Sequence, residues 1–323
     1  MGNTVRALVT GGLGFIGSHL VESLVARGDE VSILDNYSRG ELNDRIFNEM
    51  VESCKSAAVS PIVFRGNVTD LEVVTKAMEG VDVVFHLAAL ISHRTALERP
   101  LDYLEQDALG TATVLEGAKL MTRKPLVFFA SSNKVYGNQI GPWHEEMPLE
   151  PEGPYALGKL TAEQVCEMYS KYLGVPTVVG RFHHVIGKRT SPDLVVSLFT
   201  SLALKGEPLE VFGEVGKEGF ESCSANYTHV DDVVRATLLC VEKYQGFDIF
   251  NIANQKETFI LDMAKRVIEK TGSSSEIKLV QRPEHEALQN ISLVQKAKDR
   301  LGFVAEIPVE RAIDEYLEWR LHG

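Results

Sequence analysis

The sequence predicts an α/β protein: a doubly wound parallel sheet followed by a smaller C-terminal substrate domain. Three observations lead there. A short apolar run, Arg6 to Thr10, breaks into the spaced glycines Gly11, Gly14 and Gly17; a helical pattern starts behind them; and Asp35 ends the next apolar run. An apolar run flanked in this way reads as a buried parallel strand, and the glycines let the backbone turn sharply and approach a pyrophosphate at a helix N-terminus. A carboxylate at the end of the second strand accepts both ribose hydroxyls and repels the 2′-phosphate of NADP, so NAD is the expected cofactor. Arg39 is the counter-signal, since a nearby arginine can accommodate that phosphate.

The remaining elements follow in order. The first helix runs to about Arg27, Glu30–Leu34 is the second strand, and a polar, turn-rich stretch leads into a helix over Glu41–Cys54. Ile62–Arg65 is the third strand; Thr69 or Asp70 caps the next helix, which ends near Met78. Asn67 and Val68 sit in a loop at a strand's carboxyl end, where open α/β sheets bind ligands, and are placed to face adenine. Val81 to Ala89 is the fourth strand, ending in small residues that let a flat ring lie against the backbone. His86 reads as a structural, hydrogen-bonded histidine, because no second ligand stands at metal spacing.

Leu101–Met121 reads as one long helix and Leu126–Ser131 as the fifth strand, leading into Ser132 and Tyr136. The acidic, proline-bearing loop from Asn138 to Pro154 has the length of a functional loop. Pro154 opens a helix to about Tyr172, in which Tyr155 and Lys159, four residues apart, share one face. Thr177–Arg181 is the sixth strand, after which the regular alternation loosens. A domain boundary is therefore expected at residue 181, giving domains 1–181 and 182–323, with a segment around 226–252 returning to the first. The second domain offers a helix over Asp193–Lys205, a strand over Leu209–Phe212 and a glycine-rich acidic loop. Beyond it come an extended Asn226–His229, a helix from Val230, a strand over Ile249–Ile252, a helix over Ile260–Thr271 capped by Thr258 and stopped at Gly272, and a final helix over Val309–Leu321.

Bulk properties narrow the function. With 323 residues the chain can bury a large core, and a net charge of −12 argues against nucleic acid or an anionic membrane as partner. Cys54, Cys166, Cys223 and Cys240 are too scattered for a zinc site or a disulfide scaffold and read as buried thiols. No metal is expected. No leader pattern precedes the first strand and no apolar run nears spanning length, so a cytoplasmic location is expected.

Ser132, Tyr155 and Lys159 form a candidate catalytic set. Tyr155 would take the proton from a substrate hydroxyl as hydride leaves for the cofactor, Ser132 would hydrogen-bond the same oxygen, and Lys159 would hold the cofactor ribose and lower the Tyr155 pKa.

Along essentially its full length the chain resembles the extended short-chain dehydrogenases/reductases of the NAD-dependent sugar epimerase/dehydratase family. The resemblance rests on Thr10–Gly17, Leu34–Asn36, the Gly66–Asp70 turn, His86–Ala89, Gly110-Thr111, Ser131-Ser132 with Val135–Gly137, Tyr155 with Lys159, Arg181, His229–Asp232 and Arg282-Pro283. It implies a Rossmann-type fold, and a cofactor shell of Gly11, Gly14, Phe15, Ile16, Asp35, Asn36, Ser38, Asn67, Val68, Leu87, Ala88 and Ala89 with Tyr155 and Lys159. It implies substrate contacts from Ser132, Asn133, Lys134, His184, Leu194, Phe212 and Arg282. It also implies a homodimer formed by a four-helix bundle.

Family members commonly act on nucleotide sugars, and the UDP-galactose 4-epimerase type is the nearest. The 4,6-dehydratase branch places an Asp-Glu pair where Asn133-Lys134 stand, and the sugar-acid decarboxylase branch usually has an acid at the position of Lys134. Other departures are Asp107 for an asparagine, Asn67 for an aspartate, His184 for an asparagine that meets the diphosphate, and Ala225-Asn226 for an Arg-Asp pair whose arginine clamps phosphates. The leading expectation is an NAD-dependent epimerase inverting C4 of a UDP-hexose-type sugar through a 4-keto intermediate. The alternative is a net dehydrogenase or reductase, or another sugar-modifying member, on a substrate without the usual nucleotide diphosphate.

Overall fold

The computed structural model describes residues 4–55, 57, 60–216, 219–283 and 287–322. The chain groups into two units, Met1–Gly137 with Pro151–Arg181 and Val234–Phe250, and Asn138–Glu150 with Phe182–Val233 and Asn251–Gly323. One division falls after Arg181. Residues 138–150 group with the second unit, and the segment returning to the first is shorter than 226–252.

The first unit is organised by β1 (Arg6–Thr10), β2 (Glu30–Asp35), β3 (Ile62–Arg65), β4 (Val83–His86), β5 (Leu126–Ser132) and β6 (Thr177–Phe182). With Asp248–Ile252 they make a seven-stranded parallel sheet in the order Asp248–Ile252, β6, β5, β4, β1, β2, β3. This is the expected Rossmann-type arrangement. The order reverses at β1, where Val9 lies opposite Ile33 of β2 on one side and Phe85 of β4 on the other. Ligands of open α/β sheets bind at the carboxyl ends of strands at such a switch point. Leu8, Val9, Ile33, Leu34, Val84, Phe85, Val127 and Phe128 are all buried, as near-continuous apolar strands covered on both faces should be.

Three helices follow the first three strands: α1 (Phe15–Ala26), α2 (Glu41–Ser53) and α3 (Leu71–Ala77). Asp70 caps α3, its carboxylate accepting from the N–H groups of Glu72 and Val73. The long helix expected over Leu101–Met121 is present as a continuous helical run from Pro100 to Leu120 that widens into a π turn at its middle. A helix over His93–Glu98 is followed by one over Pro100–Tyr103, a π turn over Leu104–Leu109 and a helix over Gly110–Leu120. Pro100 accounts for the break that separates His93–Glu98 from this run: proline biases the preceding residue away from helical geometry, and Arg99 sits at φ −134°, ψ 61°. Ser132 leads into a 3₁₀ turn over Asn133–Tyr136, and the helix Gly153–Leu173 carries Tyr155 and Lys159.

In the second unit the strand Leu209–Gly216 pairs antiparallel with Gly219–Ser222 and parallel with Ile277–Gln281, so the expected glycine-rich loop is largely a hairpin; its residues 217–218 lie outside the described ones. Thr258 does not cap the following helix. It pairs with Ala225 in a short strand, and Phe259 stands at the cap position without a side-chain bond. Gly272 ends that helix in a left-handed conformation, as expected. The Asn138–Glu150 stretch is tied down by buried Trp143, whose backbone N–H donates to the Ile291 carbonyl at 2.8 Å and whose carbonyl accepts from Leu293 N–H at 2.8 Å. Val196, Phe199, Val211, Tyr227, Met263, Val267, Ile313 and Leu317 form this unit's core. Among the described residues no helix is long and apolar enough to cross a membrane, and no His/Cys/Asp/Glu group could hold a metal ion.

Candidate active site

The glycine turn closes tightly on the end of β4. A Cβ on Gly11, at φ +68°, would lie 2.8 Å from Ala88 Cα, and one on Gly17 would lie 2.2 Å from the Gly11 carbonyl oxygen. Gly14 then starts α1, placing Phe15 and Ile16 in the first turn, whose N–H groups lack intrahelical partners. Leu87 and Ala88 are brought to the same turn: Leu87 N–H donates to the Thr10 carbonyl and Ala88 N–H to Thr10 Oγ1. Ala89 follows, half-buried.

At the end of β2, Asp35 Oδ2 accepts from Leu13 N–H at 3.0 Å and Oδ1 from Tyr37 N–H at 2.9 Å. A carboxylate has about four acceptor sites, so capacity remains for ribose hydroxyls. Burial pushes its pKa up, while the Tyr37 and Leu13 amides and Arg39 draw it down. Asn36 and Ser38 are exposed beside it, Ser38 N–H donating to Asn36 Oδ1. Asn67 is half-buried and Val68 buried, with Gly110 leaving room for the Val68 side chain. This cradle and its acidic acceptor fit a dinucleotide.

His86 is structural, as its sequence context suggested. Thr111 Oγ1 donates to the Asp107 carbonyl, so it accepts from His86 Nε2, 3.0 Å away; Nδ1 then accepts from Thr10 Oγ1 at 2.7 Å. Burial and the nearby Lys159 charge hold the imidazole neutral, with a pKa pushed down to about 3.

Ser132, Tyr155 and Lys159 do come together within the first unit. The Tyr155 phenol hydrogen-bonds the Ser132 side chain. Ser132 Oγ also accepts from Lys134 N–H at 3.2 Å, locking the 3₁₀ turn that follows it; Asn133 is buried and Lys134 half-buried. The buried Lys159 ammonium donates to the Ala130 carbonyl at 3.0 Å and lies 6.0 Å from the Tyr155 ring centre. One expectation is reversed in the protein alone. The phenol's pKa is raised, not lowered: enclosure of the hydroxyl and the Asp107 carboxylate outweigh the Ser132 hydrogen bond.

Asp107, known from the sequence only as a departure from an asparagine, belongs to the same neighbourhood with Gly158 and the buried Arg181–Glu163 pair, whose contacts the sequence did not show. The π turn places Asp107 Oδ1 3.8 Å from Lys159 Nζ. The approach depends on Gly158, where an added Cβ would lie 3.1 Å from Asp107 Cβ. Behind Ser132, Arg181 forks onto Glu163 at 2.9 and 2.7 Å and donates to the Tyr136 hydroxyl at 2.8 Å, while the Ser131 hydroxyl donates to Glu163. The position of Glu163, one helical turn after Lys159, was the available signal.

The second unit carries the other expected substrate residues. His184, at φ 22°, has its ring 5.0 Å from that of Tyr227, and Leu194 stands at the start of the helix Val195–Lys205. Phe212 lies opposite Val280 by strand pairing, and Arg282 N–H donates to the Gly213 carbonyl, so Phe212 and Arg282 are brought together. The Arg282 guanidinium pairs with Glu214. Ala225, where an arginine was expected, is buried in a short strand.

Residues 7–253 match the NAD dependent epimerase/dehydratase family, and the chain belongs to it. It is 30% identical over 97% of both chains to a UDP-N-acetyl-alpha-D-glucosaminuronate decarboxylase of Bacillus cytotoxicus. It is 29% identical, again over 97% of both, to a putative UDP-glucose 4-epimerase of Methanocaldococcus jannaschii. Among solved structures, the complex of the Thermus thermophilus UDP-glucose 4-epimerase with NAD superposes with a TM-score of 0.83 at 28% identity, covering 99% of this chain and 100% of that one. The protein is an enzyme, and its cofactor is NAD.

Proposed function

We propose that this chain is an NAD-dependent epimerase that inverts C4 of a nucleotide sugar of the UDP-hexose type through a transient 4-keto sugar. The observation that carries the reading is the Tyr155 phenol on Ser132 beside the Lys159 ammonium, with Asn133 and Lys134 where elimination or decarboxylation would use acids. NAD, when bound, accepts and returns the hydride. Ser132 and Tyr155 hold the sugar's O4, Tyr155 takes its proton on oxidation and returns it to the opposite epimer, and Lys159 supplies the local positive charge that stabilises phenolate. In the protein alone the phenol stays protonated at neutral pH, which suits it as the donor to a keto oxygen.

A second reading, a net dehydrogenase or other sugar-modifying enzyme on a substrate without a nucleotide diphosphate, is favoured by buried Ala225 and by the pairing of Arg282 with Glu214. Losing a bidentate arginine removes a strong contact to an anion. Proton NMR of purified enzyme with NAD and UDP-sugars separates the two. The first reading gives a C4 epimer without NADH, whereas stoichiometric NADH, or no epimer from any common UDP- or GDP-hexose, rejects it.

The reading also takes the enzyme as a cytoplasmic homodimer. Leu101, Leu109, Leu120, Leu157 and Met168 are exposed apolar residues on the helical stretches Leu101–Met121 and Tyr155–Tyr172 that would form a four-helix bundle. Four free thiols suit a reducing compartment.

A further inference from the structure

Asp107 is a buried carboxylate whose two oxygens make no hydrogen bond of ordinary geometry among the described residues, although the Leu90 amide helps to draw its pKa down. An ionisable group in that state is costly unless a counter-charge is near. That charge is Lys159, 3.8 Å from Oδ1, whose ammonium has three protons and gives one to the Ala130 carbonyl. The arrangement is built rather than incidental. The π turn over Leu104–Leu109 carries Asp107, Thr111 fixes its backbone by donating to its carbonyl, and Gly158 lets the turn approach between Tyr155 and Lys159.

We propose that Asp107 is a positioning residue for the reaction: seated against the buried Lys159 ammonium, its negative charge offsets part of that ammonium's pull on the Tyr155 proton and so sets the pH at which Tyr155 exchanges it. The proposal rests on Tyr155 being the acid/base, as in the function above. The groups facing this cluster are Tyr103 from the helix before the π turn, Tyr155, Lys159, Glu163 and Cys166 from the helix Gly153–Leu173, and His86 from β4. Among them Asp107 is the negative charge that acts on the phenol: it pushes the Tyr155 pKa up and counters the burial that pulls Lys159 down. Its own pKa is raised to about 6, so the carboxylate is charged at neutral pH and loses its effect below that value.

The test is Asp107→Asn, which keeps size and removes charge. The tyrosinate titration of Tyr155 is read by ultraviolet difference absorbance on NAD-loaded protein, with Tyr155→Phe as the blank. The expected result is a Tyr155 titration about one pH unit lower than in the parent, with the basic limb of the pH–kcat profile displaced the same way. An unchanged or upward-moving titration overturns the proposal. Should Asp107→Asn fail to fold, Asp107→Glu, which retains the charge, serves as the comparison, and a titration shifted downward by it overturns the proposal equally. If Tyr155→Phe leaves turnover intact, the acid/base assignment fails, while the titration still reports on Asp107.

Discussion

Replacing Arg181 by Met tests how the candidate site is anchored. Arg181 is fully buried, forks onto Glu163 at 2.9 and 2.7 Å, and donates to the Tyr136 hydroxyl at 2.8 Å. The substitution leaves the Glu163 carboxylate buried with only the Ser131 hydroxyl among these partners. Breaking one side of a buried pair costs about 3–5 kcal/mol, because an uncompensated charge remains. Spread over a unit of this size, that lowers the thermal midpoint by roughly 10 °C. Removing both charges, in Arg181→Met with Glu163→Leu, recovers most of the loss, since two apolar groups need no partner. The Tyr136 hydroxyl still loses its donor, so turnover falls in both variants as the 3₁₀ turn behind Ser132 loosens. Thermal melts followed by circular dichroism give the stabilities. A single variant costing less than about 1 kcal/mol, or a double variant as unstable as the single, refutes the reasoning.

Four shorter predictions follow. Tyr155→Phe abolishes turnover yet leaves NAD affinity within about threefold, read by calorimetry; retained turnover would remove the phenol from the reaction. Asp35→Asn weakens NAD binding by about tenfold in the same calorimetry, because a charge-assisted acceptor for the ribose is lost. Gly17→Ala gives protein that is misfolded or cannot hold NAD, since its Cβ would meet the Gly11 carbonyl at 2.2 Å; normal binding would contradict the tight turn. His86 makes the fold acid-sensitive. Its pKa is about 3 when folded and near 6.5 when unfolded, so the unfolded state binds the extra proton and stability falls as pH drops below 6.5. At pH 5 the loss is about 2 kcal/mol; a variant lacking the imidazole, such as His86→Asn, should lose less on acidification than the parent.

Much of the first unit was legible because buried parallel strands write themselves as short apolar runs, and glycines mark where two backbones touch. Ser132, Tyr155 and Lys159 could be placed together because one ends a strand and the others share a helix face. The helix over Leu101–Met121 was legible but its π turn was not, because the sequence keeps a helical pattern through Leu104–Leu109. Thr258 looked like a cap by residue type, but pairing with Ala225 claimed it. The rise of the Tyr155 pKa in the protein alone was not legible, because the sequence shows Lys159 four residues away but shows neither the burial of the hydroxyl nor Asp107 arriving from another element.

The central claim is followed most directly by the hydrogen at C4. A UDP-hexose carrying deuterium at C4 is incubated with NAD-loaded enzyme, and both the sugar and any released NADH are read by NMR and mass spectrometry. Epimerisation through a 4-keto sugar keeps the deuterium at C4 in both epimers, with none in solvent or in free NADH. Deuterium in stoichiometric NADH, or a product lacking it, would contradict the account.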